Sequence, residues 1–243
     1  MKISSRDIRY ILVFIAISTI VTSTMSYKAF NPAPSERFFS MWVLGPKGMV
    51  ANYFPEDNPD LQVGEEVNWT LGVHNHMGST QYVVIRAKLL NSTLEAADEL
   101  NSRPSPVTPL IESTRVVLDN ETWYVPFSWR ILNVTPTDGA LIVSGLLINE
   151  ITFSGEVAEA VGGINYRFVF ELWFYNYETD NLAFSWRSDG IQRTAWTQLW
   201  FNVTAPASTW SKGSKRLPSL SVQTGFDPLE SVVNDVQYDS GEY

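Results

Sequence analysis

Apolar and polar residues alternate with period two in five separate segments, and no other feature narrows the fold of this chain so much. The inward sets are Val67, Trp69, Leu71 and Val73; Val83, Ile85, Ala87 and Leu89; Trp123, Val125, Phe127 and Trp129; Tyr166, Phe168, Phe170, Leu172 and Phe174; and Thr197, Leu199, Phe201 and Val203. Successive side chains of a strand point to opposite faces, so each set marks the buried face of one strand. Further strands are predicted at 39–44, 114–118, 145–153 and 182–186, with turn-forming clusters at 75–78, 104–109, 137–139, 162–163 and 188–190. Short strands joined by polar turns predict a mainly β protein, an immunoglobulin-like β-sandwich. Pro126 cannot donate to a ladder, which predicts an edge position for its strand. The stretch 94–100 (Leu-Glu-Ala-Ala-Asp-Glu-Leu) predicts one or two helical turns in a loop.

The run from Tyr10 to Met25 is of another kind: it carries no charge and follows Lys2, Arg6 and Arg9. At about 1.5 Å per residue a helix of this length, with Ser26 and Tyr27 at the far interface, just crosses a hydrocarbon core. The basic residues before it stay on the cytoplasmic side, which puts the rest of the chain outside. A cleaved signal peptide is the competing reading, but the run is long for one and Thr22-Ser23-Thr24 makes a poor cleavage site. The expected organisation is a cytoplasmic tip and transmembrane signal anchor over 1–27 and a stalk with Pro32 and Pro34 over 28–37. A β-sandwich ectodomain follows over 38–204, and a disordered acidic tail over 205–243. The expected location is the cell membrane, single-pass, with the C-terminal domain extracellular and membrane lipid as one partner.

Composition bounds the function. A net charge of −9 disfavours nucleic acid as a partner. The chain has no cysteine, which removes disulfides, thiol chemistry and the Cys–Trp–Cys core of antibody domains. A domain of this size buries enough surface to fold without disulfides. Five N-x-S/T sequons are glycosylation candidates, at Asn68, Asn91, Asn120, Asn133 and Asn202. No nucleophile elbow, zinc-protease helix or phosphate-binding loop occurs, so the expectation is no enzyme and no cofactor.

The segment 38–90 contains Leu44-Gly45-Pro46-x-Gly48, Tyr53-Phe54-Pro55, Gly64-Glu65, Gly72-Val73-x-Asn75-His76 and Tyr82-Val83-Val84. It resembles the domain-of-unknown-function family sixteen-sixteen, found mainly in archaeal membrane proteins. The later runs Phe170-Glu171-Leu172-Trp173-Phe174-Tyr175 and 196–204 resemble its variant in ammonia-oxidising archaea. The resemblance implies an archaeal envelope location and an exported β-domain. It brings no catalytic residues with it.

Two constellations are candidate sites. His74 and His76 are the only histidines, and on a strand they share a face, where both imidazoles can approach one copper or zinc ion. Completing that site takes Met77, an acid such as Glu65 or a partner chain; a surface turn is the default reading. On the outward faces of two strands stand Trp173 and Tyr175, and Trp196 and Trp200. If those strands pair, the four rings form an aromatic patch suited to protein or sugar contact. The function these features predict is a membrane-anchored envelope protein whose sandwich is a structural or protein/glycan-binding module, with a surface-layer or other envelope protein, or glycans, as partner. An accessory or metal-handling subunit of a membrane enzyme complex is the alternative.

Overall fold

A computed structural model of the chain describes residues 5–30 and 36–205. The tail expected over 205–243 lies outside the described residues from 206 onward, as does the middle of the stalk, 31–35.

The uncharged run forms helix α1, Ser5–Phe30, of which Arg9–Tyr27 (19 residues) is long and apolar enough to cross a membrane, a test an export signal also meets. Four of its hydroxyls are satisfied within the helix. Thr19, Thr22, Ser23 and Thr24 each donate to the carbonyl four residues back, at 2.6–2.8 Å, a bond that satisfies a helical hydroxyl locally.

Thirteen strands follow among the described residues: β1 Phe38–Leu44, β2 Asp60–Gln62, β3 Glu66–His76, β4 Gln81–Leu90, β5 Ile111–Val117, β6 Thr122–Pro136, β7 Ala140–Ile148, β8 Ile151–Val161, β9 Tyr166–Asn176, β10 Asn181–Ala183, β11 Ser185–Ser188, β12 Ile191–Thr194 and β13 Trp196–Thr204. They build the immunoglobulin-like sandwich expected from the alternation. One sheet has the order β1-β3-β6-β7-β8, and the other β2-β13-β9-β4-β5 with β10 beside the C-terminal end of β9. Every pairing is antiparallel except β2 with β13. The hairpin β11–β12 stands apart.

The inward sets meet between the sheets in a core rich in aromatic rings. Trp69 of β3 is its hub, with the rings of Phe54, Phe127, Trp129, Phe168 and Phe170 centred 5.3–6.1 Å away. Its indole N–H donates to the Tyr53 carbonyl at 2.6 Å. Large rings bury much apolar area per residue, which is how a cysteine-free domain holds together. At one end of the sandwich the fully buried Asn75 joins the sheets. Its Nδ2 donates to the carbonyls of Ser79, Val117 and Leu118, and its Oδ1 accepts from the Met77 N–H.

Four local expectations are corrected. The strand with Pro126 is central, between β3 and β6's other neighbour β7, not an edge. Pro126 is tolerated because β7 stops short of it: the last β6–β7 pair is Trp129 with Ile148. The Pro126 carbonyl faces that open side, where it accepts from Asn149 Nδ2 at 3.2 Å, so its missing N–H leaves no ladder partner unpaired. The single strand expected over 145–153 is a hairpin, β7 to β8, turning at Asn149 (φ 44) and Glu150 (φ 71). The run 182–186 is split between β10 and β11, which belong to different sheets. The stretch 94–100 forms no helix; it is part of a loop closed by a bridge between Asp98 and Arg103.

Candidate interaction face

β13 and β9 pair, with Trp196 opposite Glu171, Gln198 opposite Val169 and Trp200 opposite Arg167. β4 lies on the other side of β9 and sets Val84 opposite Trp173, Arg86 opposite Glu171, Lys88 opposite Val169 and Leu90 opposite Arg167. These residues point away from the core and form the outer face of the larger sheet. The face is not bare. Val84, Lys88, Leu90, Val169 and Glu171 are buried on it, because the loop 91–110 folds back over its lower half.

The buried centre is an ion pair. Lys88 Nζ lies 2.7 Å from Glu171 Oε2, with 3% and 0% of their side chains exposed. The loop is clamped to both charges: Lys88 donates to the Ser105 carbonyl at 2.7 Å, and the Ser105 N–H donates to Glu171 Oε1 at 2.7 Å. The Trp173 indole N–H adds a third hydrogen bond to Glu171, at 3.1 Å. Charges this deep are kept only with such full hydrogen bonding.

Two arginine–tryptophan stacks flank the pair. The Arg86 guanidinium sits 4.1 Å from the Trp173 ring centre and is held by Glu112 at 2.7 Å. The Arg167 guanidinium sits 4.4 Å from the Trp200 ring centre. Arg167 donates to Gln198 Oε1 at 2.9 Å and to the Leu94 carbonyl at 2.7 Å, so it too ties the loop down. Burial pushes the Arg167 pKa below its ordinary value. Cation–ring stacking of this kind fixes both partners.

The four predicted rings therefore occupy one sheet face but different surroundings. Trp173 is half-buried between Arg86 and the ring of Phe184, 5.6 Å away. Trp196 is half-buried beside Glu171, and Trp200, about four residues or 13 Å further along the strand, is the most open at 39%. Tyr175 lies beyond the end of β13, opposite Leu182 of β10. Its hydroxyl donates to Asp180, and that bond raises its pKa. Sequence reasoning missed Arg86, Lys88 and the covering loop. The signal was present in the outward positions Val84, Leu90 and Val169, whose apolar side chains mark a strand buried on both faces.

His74 and His76 lie on the outer face of the other sheet, half-buried, with rings 6.3 Å apart and nearly parallel. His74 Nδ1 is 3.0 Å from Thr122 Oγ1, His76 Nδ1 is 2.5 Å from Asn120 Oδ1, and the Phe38 ring packs on His76 at 4.8 Å. Among the described residues no group of three or more His, Asp or Glu side chains is placed to hold a metal ion. Of the sequons, Asn68, Asn120 and Asn133 are exposed. The side chains of Asn91 and Asn202 are half-buried and donate to the Glu159 carbonyl and to Asp60, both at 2.6 Å.

No protein-family model and no curated protein matches the chain. Among solved structures, the chain is similar to the CARDB domain of a Pyrococcus furiosus protein in complex with di-metal ions, at 10% identity and a TM-score of 0.33, over 72% of this chain and 94% of that one. It is also similar to the C-terminal domain of wzt, at 11% identity and a TM-score of 0.32, over 71% and 80% of the two chains. A β-glucosidase from Listeria innocua matches at 13% identity and a TM-score of 0.27, over 50% of this chain and 16% of the enzyme.

Proposed function

We propose that the chain is a single-pass cell-envelope protein, held in the membrane by α1, whose extracellular sandwich binds an envelope protein or glycan through the outer face of the larger sheet. The observation that carries this is the Trp200–Arg167 stack: an open indole on a cation that is itself fixed by Gln198 and the Leu94 carbonyl. A ring held rigid before contact loses little entropy on binding, and a fixed cation beside it supplies directional donors. Such anchors are the residues that dominate binding energy at interfaces. The family resemblance in the segment 38–90 agrees with an envelope location.

The test is cross-linking in native membranes with mass-spectrometric identification of neighbours and attached sugars. The expected result is a reproducible partner, or a bound glycan, whose recovery falls by an order of magnitude in Trp200→Ala. A neighbour set unchanged by Trp200→Ala would overturn the assignment of this face.

A further inference from the structure

We infer that one end of the sandwich, the rim formed by Leu118, Tyr177 and Ile191, rests on the lipid surface that α1 crosses. This rests on the reading of α1 as a membrane tether.

The domain starts at that end and is clasped there. The Arg37 N–H donates to Ser188 Oγ at 3.1 Å, and the Arg37 carbonyl accepts from the Trp186 indole at 3.1 Å. Glu36 pairs with Arg193. The hairpin β11–β12 thus grips residues 36 and 37, and its Trp186 is keyed into the core against Phe39 and Phe174. The turns 77–80, 118–121 and 177–180 lie at the same end, since Phe38 pairs with His76, Gln81 with Val117, and Asn181 with Asn176. The opposite end carries the turn 137–139 and Thr204. At about 3.3 Å per residue the length of β6 separates the two ends by about 45 Å.

Only residues 31–35 separate Phe30, the end of α1, from Glu36. Fully extended, that connection reaches about 21 Å. It is shorter than half the sandwich, so the clasped end stays close to where α1 leaves the bilayer. That end carries large apolar side chains in the open: Leu118, Tyr177 and Ile191 each expose more than half of their surface. Rim charges are partly paired among themselves, Glu36 with Arg193 and Arg115 with Glu121. Tyrosine and branched apolar residues at a rim suit the headgroup boundary, where a ring and its hydroxyl are both satisfied. Trp200, toward the other end, is then presented away from the membrane.

The chain has no cysteine, so single labels are unambiguous. The full chain is reconstituted in phosphatidylcholine vesicles containing a headgroup spin-label quencher, with a fluorophore on Glu178→Cys at the clasped end or on Asp138→Cys at the far end. The Glu178→Cys label is expected to lose most of its emission and the Asp138→Cys label almost none. Adding Leu118→Ser, Tyr177→Ser and Ile191→Ser is expected to restore the Glu178→Cys emission while the chain remains in the vesicle pellet after an alkaline wash. Equal quenching at both ends, or quenching unmoved by the triple substitution, overturns the rim and leaves the tether standing. Loss of the chain from the washed pellet overturns the tether, and the rim with it.

Discussion

At the scale of single residues, the outer face of the larger sheet is decided by Lys88 and Glu171. Removing one partner strands the other as a buried charge, so Lys88→Met is expected to destabilise the domain by about 3–5 kcal/mol. In the double variant Lys88→Met/Glu171→Gln no charge remains, and the amide oxygen still accepts from the Ser105 N–H. Denaturant titration should therefore find the double variant more stable than Lys88→Met alone; the reverse order would mean that the pair is not desolvated as the 3% and 0% exposures indicate. Neither residue was legible as a buried pair in the sequence. Both sit at outward positions of alternating strands, and what buries them is the loop 91–110, distant in sequence from β9. Tyr166 offers a second test. Burial pushes its phenol up to about 12, the nearby Glu159 charge adds to this, and a backbone hydrogen bond at Ala160 opposes it. The neutral phenol, donating to the Leu141 carbonyl, is the form the fold prefers. A raised acid pKa stabilises fully below the unfolded value near 10 and is lost as pH rises through about 12. Tyr166→Phe is expected to flatten the fall of stability between those two values, as measured by denaturation at a series of alkaline pH values.

At the scale of elements, alternation located the five principal strands and their buried faces, because period-two patterning and burial have one physical origin. What it did not give was neighbours. Pro126 read as an edge signal, since a proline in a ladder normally leaves a gap, yet its nitrogen lies where β7 has ended. Pro126→Ala is accordingly expected to change stability by no more than about 1 kcal/mol. A loss of several kcal/mol in thermal or chemical unfolding would show that the ring itself packs in the sheet. The hairpin between β7 and β8 was hidden because its turn uses Asn149 and Glu150, and Glu is not a residue that announces positive φ. Gly72 shows the reverse case, a glycine whose reason lies in a neighbour. An added Cβ would come within 2.2 Å of the ring of Trp42, its partner on β1. Gly72→Ala should displace that ring, and Trp42→Ala should absorb part of the cost, so a double-mutant cycle is expected to be less than additive.

At the scale of the whole molecule, every buried core residue falls between Phe39 and Val203. A chain of residues 36–205 is therefore expected to fold by itself and to melt within about 4 °C of the full chain in detergent, checked by calorimetry. A much lower midpoint would mean that α1 contributes to the core. The clasp of Glu36 and Arg37 by β11–β12 has a mechanical consequence. The domain is held at one end of its strands, and Ala205, the last described residue, leaves from the other. Tension between α1 and anything gripping the far end runs along the strands. It loads the seven-residue pairing of β1 with β3 in shear, with its hydrogen bonds sharing the force rather than opening one at a time. A sandwich strung this way resists pulling between its two ends.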